Sequence, residues 1–322
     1  MDKTKKIILW SSISVLLLTI FILGTIYDLQ ISKSLASLNS DSYLSHNLFA
    51  ILGETFGENI LYILLVSAFC IIFFSLIKND IVNKKWLKYI LLGFCIVASF
   101  VVSFYCINKT LGYISEHTSF GLENFLESTL GLIIVVLFSL VVDICAFMLF
   151  NKLSAESLKQ LLWWAILVLF VSALSNAFVQ GTKHIFDRTR FRAMHFVGDT
   201  QYTYYTPWYQ INTNKFNSIS IFAEDFFKSF PSGHTCAAAS SAVLVALPMF
   251  VQKFNNKKWK SIFWASSLVY TILVAFSRIV AGAHFFTDVF VGGLITFVCT
   301  IVLMFVFKKI LEKNKIKAST EN

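Results

Sequence analysis

Charged side chains are scarce in this chain of 322 residues. Asp, Glu, Lys and Arg make up only 14% of it, whereas 57% of the residues are hydrophobic and the mean hydropathy is +0.70. Because a soluble domain has about a quarter charged residues, this composition excludes that class. The net charge of +9 is not gathered in a basic, aromatic-lined domain, which argues against nucleic acid as a partner.

Cysteine spacing gives no sign of a metal or redox site. The six cysteines are scattered in or at the ends of apolar runs, with no Cys-x-x-Cys pair and no histidine at metal-ligand spacing. Buried, unpaired thiols account for them. The sequence also lacks internal repeats and a separable soluble domain, and it predicts no cofactor.

Long apolar runs make up most of the sequence. Each is long enough to cross a hydrocarbon core of roughly 30 Å; they cover about 7–27, 58–77, 89–107, 129–150, 161–181, 233–252, 261–281 and 287–307. The sequence therefore predicts an all-α, polytopic membrane helix bundle with about eight transmembrane helices. No Ala-x-Ala-like site follows the first run, so we expect an uncleaved anchor rather than a signal peptide.

Several polar features between the runs have structural interpretations. Residues 47–52 are expected to lie in the membrane interface as a short amphipathic helix. The loop 108–128, which contains His117, is expected to be solvated. Asp143 lies inside the fourth run, where an acid serves either a structural hydrogen bond or a proton relay. Pro248 is expected to kink the sixth helix.

Lysine and arginine are unevenly distributed along the chain. With the N-terminus inside, twice as many of the 27 lysine and arginine residues fall on the inner side as on the outer side, as the positive-inside rule requires. Both termini are therefore predicted to be cytoplasmic. The arginines do not follow this pattern: Arg188, Arg190, Arg192 and Arg278 all fall on the outer side, where anion binding is the natural explanation.

Three polar stretches converge on that outer side. Lys183 to Arg190 follows the fifth run, Pro231-Ser232-Gly233-His234 opens the sixth, and Ser277 to Asp288 joins the last two. A helix that starts with small residues presents free N–H groups to an anion. His284 and Asp288 are four residues apart, so on a helix the carboxylate can hold one imidazole nitrogen and leave the other free. The alternative is a snorkelling Arg278 and a helix N-terminal Asp288.

In this order and at these spacings, the stretches resemble the three-part signature of the type-2 phosphatidic acid phosphatase family. That family includes bacterial prenyl-diphosphate phosphatases, phosphatidylglycerophosphate phosphatases and animal lipid phosphate phosphatases. The second and third stretches match in full, whereas Phe191 follows Arg190 where the family usually has proline. The resemblance implies a six-helix phosphatase core over 81–310 and an additional N-terminal transmembrane hairpin over 1–80. The charge pattern predicts a basic cytoplasmic tail over 311–322.

The resemblance also implies catalytic roles. His284 is expected to be the nucleophile that takes the phosphoryl group, and Asp288 is expected to orient it. His234 is expected to protonate the leaving oxygen and later to activate water. The phosphoryl oxygens are expected to be held, with no metal, by Lys183, Arg190, Ser232, Gly233 and Arg278.

Two further features lie close to these residues. Arg188 and Arg192 are expected to form salt bridges or to face anionic lipid, rather than to contact the second phosphate of a diphosphate. Aromatic side chains are common at membrane interfaces, and the loop 191–230 is expected to be a lid that guides a lipid headgroup. The alternative is a loop that packs at the interface without contacting substrate. The aromatic residues of this loop include Tyr202, Tyr204, Tyr205, Trp208, Tyr209, Phe216 and Phe222.

The expected function is that of a cell-membrane lipid phosphatase with its site on the external face. Prenyl diphosphate, phosphatidic acid and phosphatidylglycerophosphate are the candidate substrates, with membrane lipids as the surroundings, and the oligomeric state is open. One alternative is a phosphotransferase that passes the phosphoryl group to another lipid or a glycan. A non-enzymatic transporter or scaffold is the other, although a transporter is expected to carry polar groups in mid-span.

The charge pattern predicts a topology that labelling can test. A single cysteine placed at Asn214, in a background without the native cysteines, is expected to react with an impermeant thiol reagent in intact cells. A cysteine at Asn255 is expected to be protected until the cells are opened. Protection at Asn214 together with labelling at Asn255 would show that the orientation is the reverse of the predicted one.

Overall fold

The computed structural model describes residues 3–38, 42–118, 122–217 and 223–320, and every regular element among them is helical. In chain order the α-helices are α1 (Lys3–Ile26), α2 (Asp28–Leu35), α3 (Leu48–Phe56), α4 (Asn59–Lys78), α5 (Lys85–Glu116), α6 (Leu122–Glu127), α7 (Thr129–Asn151), α8 (Ala155–Phe186), α9 (Phe191–Phe196), α10 (Gly233–Ala239), α11 (Leu247–Phe250), α12 (Lys257–Val280) and α13 (Phe286–Thr320). Short 3₁₀-helices, Ser240–Ala246 and Gln252–Phe254, precede and follow α11.

The helices are long and apolar enough for a multi-pass membrane protein. Within the described residues the candidate spans are Leu48–Lys78, Lys85–Glu116, Thr129–Asn151, Ala155–Phe196, Gly233–Phe250, Lys257–Val280 and Phe286–Lys313. An eighth is possible if Ser11–Ile26 and Asp28–Leu35, which meet at a bend of 77°, form one span. The prediction of a polytopic helical bundle is therefore confirmed.

The segment around residues 47–58 differs from its predicted form. The Asn47 side chain caps α3 by accepting from two backbone N–H groups, and α3 and α4 together form the single candidate span Leu48–Lys78. Residues 47–52 are thus the start of a longer span rather than a separate interfacial helix. Glu54 and Glu58 on this span are buried, so the segment brings two carboxylates into the protein interior.

The apolar core is centred on α4 and α8. Leu64 and Ile71 of α4 and Val168 of α8 are buried in one cluster, which Phe307 of α13 completes. Helices α5 and α7 expose many large apolar side chains, as helices in contact with lipid do.

Asp143 joins α7 to α5. Its Oδ1 accepts hydrogen bonds from the hydroxyls of Ser99 (3.0 Å) and Ser103 (2.7 Å). Of the two roles that the sequence leaves open for this acid, the structure supports the structural hydrogen bond. Two hydroxyl donors satisfy a polar group that would be costly to bury alone.

The sixth span is irregular before it reaches its proline. Its helix changes to a 3₁₀-helix at Ser240, whereas Pro248 lies in the first turn of α11. The hydroxyls of Ser240 and Ser241 donate to the carbonyls of Cys236 and Ala238. Such side-chain bonds compete with the helical ladder, and proline cannot donate to it. The disturbance is therefore spread over two turns instead of forming one kink at Pro248.

Helix α13 passes very close to the start of α10. A Cβ atom added at Gly292 would lie 2.4 Å from the carbonyl oxygen of Ser232, whereas one at Gly293 would lie 3.5 Å from the Thr235 methyl group. Only the first distance is too short for real atoms. The absence of a side chain at Gly292 therefore sets the distance between α13 and the backbone of Ser232.

This close approach predicts different outcomes for two neighbouring alanine substitutions. Gly292→Ala forces the start of α10 away from α13 and is expected to lower stability by about 1–3 kcal/mol, as overpacking does. Gly293→Ala is expected to remain close to wild type. The thermal unfolding midpoints of the two purified proteins in the same detergent measure the difference. Equal midpoints would show that the contact at Ser232 is not tight.

Candidate active site

His284 lies in the turn that joins α12 to α13. Gly282 there has a φ of 61°, a left-handed conformation that glycine adopts at little cost. The backbone N–H groups of Ala283 and His284 both donate to the carbonyl oxygen of Arg278, at 3.1 and 3.3 Å. The turn therefore carries the imidazole back into the protein, where His284 is 1% exposed.

The imidazole of His284 is held by a backbone carbonyl. Its Nδ1 lies 2.6 Å from the oxygen of Ser229, which only accepts, so Nδ1 carries the proton and Nε2 carries the lone pair. The predicted hydrogen bond from the imidazole to Asp288 is not formed, because the nearest carboxylate oxygen is 3.9 Å from Nδ1. Burial and then the surrounding cations hold the pKa of His284 well below its usual range. The ring is therefore neutral at neutral pH.

Asp288 supports the turn around this histidine. Its Oδ2 accepts from the backbone N–H of Phe285 at 2.8 Å and from the Ser229 hydroxyl at 2.5 Å. Since Ser229 also supplies the carbonyl that meets His284, the carboxylate acts on the imidazole through Ser229 rather than by direct contact.

Arg188 is fully buried between two carboxylates. One guanidinium nitrogen donates to Asp288 at 2.5 Å and the other to Asp28 at 2.7 Å. Asp28 also accepts from the backbone N–H (2.9 Å) and the hydroxyl (2.6 Å) of Thr287. The salt bridge expected for Arg188 is confirmed. Its partner Asp28, at the start of α2, is a residue that sequence reasoning missed.

Lys183, Ser232 and Gly233 meet at the start of α10. Ser232 caps this helix through its hydroxyl, and its own N–H donates to the Asp288 carbonyl oxygen at 3.0 Å. The Lys183 ammonium lies 3.5 Å from the position that a Cβ of Gly233 would occupy. The structure thus brings the first two sequence motifs together at the start of this helix.

Arg278 is fully buried, and only part of its guanidinium is paired. Its Nη2 donates to Glu54 at 2.7 Å. Its Nε and Nη1 have no hydrogen-bond partner among the described residues. Buried donors are almost always satisfied in folded proteins, so these two N–H groups are suited to an anion that enters the site.

Arg190 and Arg192 share one carboxylate. Arg190 donates to Asp225 Oδ1 at 2.7 Å, and Arg192 donates to Oδ2 at 2.8 Å and to Glu54 at 3.2 Å. Burial opposes ionisation of Asp225, but the two arginines outweigh it and hold the pKa of this carboxyl below its usual range. The salt bridge expected for Arg192 is confirmed, whereas Arg190, expected to bind phosphate, is already paired with a carboxylate.

Glu54 also corrects the expectation for the loop 108–128. Helix α5 continues to Glu116, and the His117 Nε2 lies 3.3 Å from Glu54 Oε2 with its side chain only 5% exposed. His117 is thus buried against the site rather than solvated. Glu54 and Glu58 are one helical turn apart beside an apolar run, which is the signal that could have identified them.

His234 faces oxygen atoms on both sides of its ring. Its Nδ1 lies 3.2 Å from the Glu58 carboxylate and its Nε2 lies 3.1 Å from the Glu54 carbonyl oxygen. Glu58 in turn accepts from the Lys109 ammonium at 2.5 Å and from the Tyr62 hydroxyl at 3.0 Å. Within the described residues, Glu58 is thus the carboxylate that is paired with this histidine.

Phe191 occupies the position where the family that this chain resembles usually has proline. It is the first residue of α9, with Arg190 as the N-cap, and proline is also favoured there. Its ring is 4% exposed and packs against Tyr202 and Phe285. The substitution therefore keeps the helix start and adds an aromatic contact next to His284.

The aromatic loop packs onto the N-terminal helix. The Trp208 indole N–H donates to the Thr25 hydroxyl at 3.2 Å, and its ring lies 5.2 Å from that of Phe21. Tyr205 contacts Phe285, the neighbour of His284. Phe222, part of the predicted lid, lies outside the described residues.

Comparison with known families matches the model of the PAP2 superfamily to residues 163–312. This stretch, which runs from α8 into α13, contains all three sequence motifs. No curated protein and no solved structure matches the chain. Asp28, Glu54 and Glu58 lie outside the matched stretch.

The buried Arg188 predicts a large effect of removing one charge. Arg188→Met leaves Asp28 and Asp288 without their cation and is expected to cost about 3–5 kcal/mol of stability. Lys215→Met is the matched control, because Lys215 pairs with Asp187 where both side chains are partly exposed, and such pairs contribute less than about 1 kcal/mol. Unfolding midpoints in one detergent compare the two, and a similar loss in both would contradict the assigned burial of Arg188.

Proposed function

We propose that this member of the PAP2 superfamily is an integral membrane lipid phosphatase that works through a phosphohistidine intermediate. Membership of the superfamily implies a phosphatase of phosphate esters. The observation that carries the finer proposal is the buried Arg278. Its Nε and Nη1 have no partner among the described residues, and its charge acts on the neutral imidazole of His284. A cationic donor and an available lone pair in one buried place suit phosphoryl transfer.

In the first step the Nε2 lone pair of His284 attacks phosphorus. The phosphorus–nitrogen bond forms as the bond to the leaving oxygen breaks, and His234 gives a proton to that oxygen. The Ser229 carbonyl and, behind it, Asp288 hold the proton on Nδ1 and keep the ring in place. A fixed tautomer is what keeps Nε2 free for attack.

In the second step water attacks the phosphohistidine. His234, now neutral, takes a proton from that water, and the phosphorus–nitrogen bond breaks to release phosphate. The residues proposed to hold the phosphoryl oxygens in both steps are Lys183, Arg190, Ser232, Gly233 and Arg278. Arg190 keeps its bonds to Asp225 and to the Ala283 carbonyl oxygen in this scheme, and its remaining N–H donors are proposed to meet the phosphoryl oxygens.

The chain's own cations supply the positive charge that this route needs. Fixed donors aimed at the developing charge lower the barrier without reorganising. We therefore propose that no metal takes part.

The site lies at the ends of apolar spans, which favours a lipid phosphate such as prenyl diphosphate, phosphatidic acid or phosphatidylglycerophosphate. The loop 191–230 is proposed to guide its headgroup, with the site on the external face of the cell membrane.

Purified protein tests this mechanism directly. Wild type is expected to release phosphate from a lipid phosphate with no lipid acceptor present, and His284→Ala is expected to keep less than about 0.1% of that activity and to lose covalent phosphate labelling. His184→Ala, an exposed histidine next to Lys183, is the matched control and is expected to remain active. EDTA is expected to have no effect, and vanadate is expected to compete with substrate.

Three results would overturn the proposal. Loss of activity in EDTA with recovery in Mg²⁺ contradicts the metal-free route. Phosphate labelling that persists in His284→Ala assigns the nucleophile to another residue. Phosphate release that depends on an added lipid or glycan acceptor makes the protein a phosphotransferase instead.

A further inference from the structure

Both ring nitrogens of His234 face acceptor oxygens. Nδ1 faces a carboxylate oxygen of Glu58 at 3.2 Å, and Nε2 faces the backbone carbonyl oxygen of Glu54 at 3.1 Å. Both oxygens can only accept, so each ring nitrogen needs a hydrogen. Burial and the nearby cations Arg278 and Lys109 oppose a positive charge on the ring, whereas these two acceptors favour it. The doubly protonated ring is the form that a general acid requires before it acts.

The Glu58 carboxylate is built to stay ionised beside this ring. Besides His234, it accepts from the Lys109 ammonium and from the Tyr62 hydroxyl. Charge-assisted bonds of this kind favour the charged form of a carboxylate. An ionised Glu58 offsets the positive charge of His234, which is otherwise surrounded by the cations Lys109 and Arg278 and by His284, with Tyr113 against its ring.

We propose that Glu58 is a positioning residue that keeps His234 charged and aims its Nε2–H at the leaving oxygen. This inference rests on the proposed phosphatase chemistry. The Glu54 carbonyl holds that proton in the free protein, and the leaving oxygen of a substrate replaces it. After the proton has moved, the Nδ1–H stays with Glu58, and Nε2 is ready to take a proton from water.

This assignment extends the catalytic unit beyond the matched family stretch. Glu58 is the N-cap residue of α4 and Lys109 lies on α5. Both precede the matched residues 163–312. The alternative is that Glu58 only stabilises the fold by satisfying Lys109 and Tyr62. The two roles differ in one measurable property, because only an acid-positioning role depends on how much the leaving group needs a proton.

Leaving-group chemistry separates these roles. Dodecyl phosphate releases a strongly basic alkoxide that needs an acid, whereas 4-nitrophenyl phosphate releases a weakly basic phenolate that does not. In Glu58→Gln, first-turnover release of dodecanol is expected to slow by about tenfold to a hundredfold, and release of nitrophenol by less than about twofold. Release is measured by rapid quench in the same detergent, with protein that elutes as a single species.

Two further variants complete the experiment. Asp143→Asn neutralises another buried carboxylate, one paired with Ser99 and Ser103 rather than with His234, and is expected to match wild type on both substrates. Glu58→Asp keeps the charge on a shorter side chain and is expected to show a smaller, still dodecyl-selective loss. If Glu58→Gln does not fold, the comparison of Glu58→Asp with wild type on the two substrates is the test.

The remaining outcomes overturn the inference. Equal slowing on both substrates shows a structural role, and no slowing on either shows that His234 does not need Glu58. If wild type releases neither alcohol, the proposed phosphatase function fails together with this assignment. If wild type is active and the Glu58 variants do not distinguish the two substrates, only the role assigned to Glu58 is contradicted, and the phosphatase function stands.

Discussion

The site depends on neutralising guanidinium charges that the fold buries. Arg188, Arg192 and Arg278 are almost completely shielded from solvent, and an unpaired buried charge costs several kcal/mol. Asp28 and Glu54 supply carboxylates from the N-terminal helices, and Asp225 and Asp288 supply them from the matched stretch. The N-terminal region is therefore a charge partner of the motifs, and not only a membrane anchor in front of them.

The few groups left outside this neutralisation are the ones that can bind an anion or act as a nucleophile. Two N–H groups of Arg278 remain unpartnered within the described chain, and Nε2 of His284 keeps its lone pair because Nδ1 is bound to Ser229. A site in which every cation was fully paired would be stable and would not bind an anion. Here the carboxylates hold the arginines in place and leave part of one guanidinium available.

Much of this could be predicted from the sequence, but the partners could not. Apolar runs predicted the helical bundle, and motif spacing identified the residues that meet around His284. Asp288 was expected to contact the imidazole because the two are four apart, yet the turn at Gly282 keeps His284 outside α13, whose first turn contains Asp288. Asp28 was missed since its partners lie far away along the chain, and a charge pair between distant segments leaves no periodic pattern. The spacing of Glu54 and Glu58 could have marked them as a pair, but it does not show which distant residues they contact.

The separation of these partners has a consequence for biosynthesis. Glu54 is made 224 residues before Arg278, and Asp28 is made 160 residues before Arg188. During insertion the early acids reach the membrane before any arginine can neutralise them, so they must stay protonated or hydrated at its edge. Arg188 reaches Asp28 only after α8 has been made, and Arg278 reaches Glu54 only with α12. A ribosome that stops before Arg278 therefore leaves a nascent chain with Glu54 still lacking that cation.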